Sequence, residues 1–140
     1  MRSIVLTIVL ALAGCSPAVP DITVSDAWAR ATAPGQASGA VYATIVNGGD
    51  DDELVRASTP VASAMLHGNA NDGGVARMRM VEALPIPAGS RTTLAPGATH
   101  VMLTGLKSPL LPGTRFPLTL RFARTGQRTV DVAVVAAGAR

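Results

Sequence analysis

Fourteen glycines and ten prolines, spread along 140 residues, cut this chain into short pieces. In a helix interior, glycine costs about 1 kcal/mol relative to alanine and proline about 3 kcal/mol. A chain punctuated so often does not sustain the long periodic segments of a helical bundle. Between the breaks stand runs rich in Val, Ile and Thr, whose branched side chains suit a pleated surface. Expected strands fall at residues 22–30, 38–46, 53–58, 63–67, 75–83, 92–94, 100–103, 115–123 and 128–135. Turns are expected at Pro34-Gly35, at 47–52, at 69–74, at 86–89 and at Thr125-Gly126. In the second run Val41, Ala43 and Ile45 alternate with other residues, which predicts one buried face. Asp50, Asp51 and Asp52 lack the spaced oxygen donors of a calcium loop and are read as a solvated turn. Many short strands separated by turns predict an all-β antiparallel sandwich, and the 48% hydrophobic content suffices for one core. No second domain is expected.

The beginning of the chain reads differently. Arg2 is followed by ten apolar-rich residues, 4–13, about half of what a membrane-spanning helix needs. The run ends in Leu12-Ala13-Gly14-Cys15, which resembles a bacterial lipobox. That resemblance implies a lipoprotein signal peptide over 1–14, a lipidated Cys15 with a short tether over 15–21, and a folded domain over 22–136. Several acyl chains, each contributing about 0.8 kcal/mol per buried methylene, make a lasting membrane anchor. Ser16 is compatible with outer-membrane sorting, so the expected location is the periplasm, tethered to the outer membrane if the cell is Gram-negative. Cys15 is the only cysteine. Once lipidated, it leaves the domain without a disulfide, a catalytic thiol or the thiolate that a blue-copper site requires.

Charge and composition remove further classes. The net charge is +3, and the arginines are scattered singly rather than gathered into a phosphate-binding stripe. One Trp, one Tyr and two Phe offer little base stacking, so no nucleic-acid partner is expected. Neither a nucleophile-elbow motif nor a pair of catalytic carboxylates is present, which argues against an enzyme.

What remains is a set of soft donors. The chain has two histidines, His67 and His100, and four methionines beyond the initiator: Met65, Met78, Met80 and Met102. His67, Met78, His100 and Met102 follow the pattern H-x10-M-x21-H-x-M. On a strand, residues i and i+2 share a face, so His100 and Met102 present an imidazole and a thioether together. A hairpin across the 69–74 turn would bring His67 to Met78. Soft thioethers with borderline imidazoles, and neither carboxylate nor thiolate, favour Cu(I) over zinc or the hard divalent cations. Only the imidazoles compete with protons, so such binding weakens as pH falls through about 6.5. Met65 and Met80 stand two residues from His67 and Met78, and are read as packing in preference to spare thioethers. A transfer site must be reachable, so exposure around both histidines is expected.

This arrangement resembles the periplasmic copper chaperone family PCu(A)C. The four pattern residues carry the resemblance, with support from Arg77-Met78-Arg79, Ile86-Pro87-Ala88-Gly89, the run 96–103 ending His100-Val101-Met102-Leu103, and the segments 105–110 and 118–122. It extends over about 24–134. The resemblance implies a cupredoxin-like Greek-key sandwich holding Cu(I) through His67, Met78, His100 and Met102. It also implies delivery to the CuA centre in subunit II of cytochrome c oxidase, alone or with a Sco-type copper protein. Some members carry a His/Met-rich tail with a second copper; Val135–Arg140 does not match it, so a single site is expected. The competing expectation is an envelope lipoprotein that binds another protein, or a simple copper buffer.

Overall fold

The computed structural model describes residues 19–140; the expected signal peptide, Cys15 and the start of the tether lie outside the described residues. Ten strands follow one another: β1 (Ile22–Arg30), β2 (Ser38–Asn47), β3 (Asp52–Ser58), β4 (Ser63–Asp72), β5 (Val75–Met80), β6 (Leu84–Ile86), β7 (Arg91–Leu94), β8 (His100–Thr104), β9 (Arg115–Phe122) and β10 (Gly126–Val135). Among the described residues there is no helix. The all-β sandwich expected from the punctuation is what forms.

The strands run in the order β5-β4-β8-β2-β1-β10-β9-β3-β6, with β7 on the remaining length of β2. Val41 and Ile45 of β2, Leu66 of β4, and Val101 and Leu103 of β8 point inward from one half. They meet Leu54 of β3, Phe116, Leu118, Leu120 and Phe122 of β9, and Val132 and Val134 of β10 from the other. Strict alternation along β9 shows the period of two that a strand buried on one face requires. One pairing departs from the antiparallel expectation: β1 and β10 run parallel, joining the first strand to the last.

Two local features change what alternation alone would give. The β1–β2 register slips by one residue between Ser25 and Trp28, where Asp26 takes a positive φ of 50°. This bulge reverses the parity of β1. Ile22 and Ala29 both reach the core although they lie an odd number of residues apart, and Trp28 turns to the outer face. The second feature is the β4–β5 hairpin. Residues 69–72, expected in a turn, instead extend β4, and the chain reverses at Gly73 and Gly74 with φ of 60° and 87°. Two consecutive positive φ values suit the twist of a tight hairpin, and glycine adopts them without penalty.

The aspartate cluster also departs from expectation. Asp52 is only 4% exposed. Its carboxylate accepts from the backbone N–H groups of Glu53 (2.8 Å), Arg124 (2.8 Å) and Thr125 (2.9 Å), and from the Thr125 hydroxyl. Burial pushes this carboxyl up, but those four donors outweigh it and hold the group below the ordinary value of 3.8. Nearby Asn47, 1% exposed, donates to the carbonyls of Asp50 (2.6 Å) and Ile86 (3.1 Å) and accepts from Gly49 N–H (3.0 Å). The turn is anchored at both ends by buried polar side chains, Asn47 and Asp52, while Gly48 and Asp51 between them face solvent.

Candidate metal centre

Register places the chemistry. In β4 and β8, His67 lies opposite His100 and Met65 opposite Met102. In β4 and β5, His67 lies opposite Met80 and Asn69 opposite Met78. Directly opposed residues share a face, as do residues two apart on one strand. Met65, His67, Met78, Met80, His100 and Met102 therefore all project from the same side of the sheet. It is the side away from Leu66, Val101 and Leu103, which fill the core.

The hairpin brings His67 and Met78 to this face, though not into direct opposition. Met80 is the cross-strand neighbour of His67, and Met78 is diagonal to it. The imidazoles are adjacent, with ring centroids 6.2 Å apart. His67 is half-buried, whereas His100 is only 3% exposed. Of the two imidazoles expected at the surface, His100 instead forms the floor. It is covered because Tyr42 lies beside it, 6.1 Å between centroids, and Trp28 beside Tyr42 at 4.6 Å.

These rings form one row across five strands: Trp28, Tyr42, His100, His67 and then the Met80 thioether. Arg30 stands over both Trp28 and Tyr42, its guanidinium carbon 5.6 and 5.9 Å from the ring centres. The sequence reading did not single out Trp28, Tyr42 or Arg30. Tyr42 shares strand parity with Ala40, but the pairing of Ala40 with Met102 that brings it here is set by the fold and not by the sequence. Trp28 was hidden by the bulge.

Access comes through a cleft of about 420 Å³ lined by His100, Met102, Met78, Tyr42, Arg30 and Gly97, among others. Met78, 58% exposed, overhangs it. The Nδ1 of His100 donates to Ala98 O at 2.9 Å. That bond fixes the ring and leaves Nε2 as the lone-pair donor. Asn69 donates to Gly97 O, tying β4 to the turn that carries this carbonyl.

Among the described residues no three His, Cys, Asp or Glu side chains gather as a metal site. Two imidazoles and neighbouring thioethers on one face, with no carboxylate among them, suit a soft monovalent ion better than zinc or calcium. A cleft of about 450 Å³ lined by Asp51, Asp52, Pro87 and Arg124 lies elsewhere, but its buried carboxylate is already occupied by backbone donors.

A family model described as "Putative lipoprotein LpqE-like" matches residues 22–134. The chain belongs to the LpqE-like family. "Putative lipoprotein Lxx21020" of Leifsonia xyli subsp. xyli is 34% identical over 144 residues, covering 93% of this chain and 86% of that protein. Among solved structures, the copper-bound PCuAC domain from PmoF2 is 29% identical with a TM-score of 0.70, covering 85% of this chain and 96% of that one. The solution structure of CuI-DR1885 from Deinococcus radiodurans is 34% identical with a TM-score of 0.64, covering 89% and 83%. This LpqE-like protein therefore has the cupredoxin-like fold of the PCuAC domains.

Proposed function

We propose that this protein is a copper chaperone that carries Cu(I) on His67, Met78, His100 and Met102. One observation carries the reading: register alone sets all four donors on one outer face, three of them lining a single open cleft. His100 supplies a fixed Nε2 and His67 an adjacent imidazole. Met102 and Met78 supply neutral sulfur, which needs no deprotonation and forms no disulfide in an oxidising compartment. The similarity to a copper-bound PCuAC domain supports the choice of metal.

The copper is cargo. It leaves by ligand exchange, in which an incoming donor forms a bond before a resident one lets go. An exposed thioether such as Met78 is the natural first bond to break, ahead of His100, which Ala98 holds in place. The proposed recipient is the CuA centre of cytochrome c oxidase, reached directly or through a Sco-type protein. The proposed setting is the periplasm, with Cys15 lipidated at the outer membrane; the lipoprotein names of its relatives support the anchor. No catalytic step is assigned.

The test is anaerobic Cu(I) competition against a chromogenic chelator. One tight equivalent is expected, and His100→Ala or Met102→Ala should weaken it by at least about tenfold, or 1.4 kcal/mol. Purified protein that stays copper-free would end this reading. In a deletion strain, oxidase activity should fall at limiting copper and recover with excess; activity unchanged at every copper level would remove delivery.

A further inference from the structure

Two of the six donors on this face have no part in the proposed site. Met65 is half-buried and Met80 is 64% exposed, too open to be explained as packing. Both line one shallow depression of about 180 Å³, shared with Arg56, Leu66, Val81 and Glu82. The cleft that holds Met78, His100 and Met102 does not include them.

His67 connects the two sets. It lies opposite both His100 and Met80, and two residues from Met65 along β4. Directly opposed side chains start from β-carbons about 4.5–5.5 Å apart, and methionine has three rotatable side-chain bonds to close such a gap. Met65 in turn lies opposite Met102. Each of these thioethers is thus next, across the ladder, to a donor of the first site. Thioethers bind soft monovalent ions, and Cu(I) accepts two- or three-coordinate geometry.

We infer that Met65 and Met80 form a second, weaker Cu(I) station that shares His67 with the first, and through which the ion passes on its way to a recipient. The inference rests on the copper reading of the first site. The Met80 and Met65 sulfurs form dative bonds to the bound ion as the Met78 and Met102 sulfurs and then His100 Nε2 release it. His67 stays bonded, each electron pair remains with its own sulfur, and copper stays cuprous throughout. No proton moves, because a thioether has none to lose. With one imidazole in place of two, the second station holds the ion more loosely and presents it beside the most exposed methionine of the face.

The experiment loads the protein with one equivalent of Cu(I) and measures anaerobic removal by a chromogenic chelator in a stopped-flow instrument. It compares wild type, Met65→Leu/Met80→Leu and Met80→Leu; leucine keeps the volume and removes the sulfur. The double variant should hold its equivalent with an affinity within about threefold of wild type. It should release the ion at least about tenfold more slowly. Met80→Leu alters a side chain that is mostly solvated, so folding is not at stake, and should slow release at least about threefold. Methionine-methyl NMR with one equivalent of Ag(I) as the probe should shift Met78 and Met102 most, with smaller exchange-averaged shifts at Met65 and Met80. Removal rates equal to within about twofold overturn the inference. So does a tenfold or greater loss of affinity in the double variant, which would place these sulfurs in the first site. Wild type that binds no Cu(I) ends both readings; wild type that binds one equivalent and loses it at the variant's rate ends only this one.

Discussion

At the scale of single residues, two buried polar side chains, Asp52 and Asn47, hold the scaffold away from the donor face. Asp52 is the clearest case. Its carboxylate takes three backbone N–H groups and a hydroxyl, and fastens the β9–β10 turn to the start of β3. Because its pKa is lowered on folding, its contribution is fully present above the ordinary value of 3.8 and is lost as pH falls through the folded value. Asp52→Asn should cost about 1–3 kcal/mol near neutral pH, since an amide group turns a donor toward donors. Urea unfolding should show this gap at pH 7 and a smaller one at pH 3. An equal gap at both would mean that charge is not what the site supplies. Gly49 is equally constrained: a Cβ there would lie 2.2 Å from Val19 O, so only glycine lets residues 19–21 lie alongside.

At the scale of elements, the donors divide between a firm part and a loose one. The floor is firm: β8 is paired on both sides, and Val101 and Leu103 are fully buried. The overhang is not. β5 ends the sheet order, hydrogen-bonds along the β4 ladder, and has all six residues exposed. An element with little buried area opens locally at small cost. Gly74→Ala places a side chain at φ 87°, where the added Cβ meets nothing within 4 Å, so the penalty is backbone strain alone, about 1–2 kcal/mol. Amide hydrogen exchange over 75–80 should then quicken by roughly tenfold while β9 and β10 stay unchanged. A uniform change would show that the hairpin is not an independent unit. On the proposed copper reading this division serves transfer, because Met78, the first donor to let go, rides on the strand that yields.

At the scale of the whole molecule, the sheet folds over one core and leaves a single face carrying every histidine and every methionine among the described residues. On the proposed reading, that face needs only to be reachable by a partner. With Cys15 as proposed anchor, Cys15→Ser should move the protein from the membrane fraction to the soluble one while Cu(I) affinity stays within about threefold. Protein that remains in the membrane fraction would remove the lipid anchor.

Glycines, prolines and β-branched runs were enough to determine an all-β chain, because each acts on its own few residues. The donor chemistry was legible for the same reason: a thioether is soft wherever it sits. Parity and partnership were not legible. The Asp26 bulge turns Trp28 outward, the glycine pair moves the hairpin turn past Asp72, and the pairing of β4 with β8 sets His67 against His100. Asp52 and Met80 show the same limit, one buried where solvent was expected and the other exposed where packing was. Strand register is a non-local quantity, decided by which distant faces must be buried together, and a slip of one residue exchanges the core face for the solvent face. Residue types fixed which donors the molecule has; only the folded sheet decided which of them are neighbours.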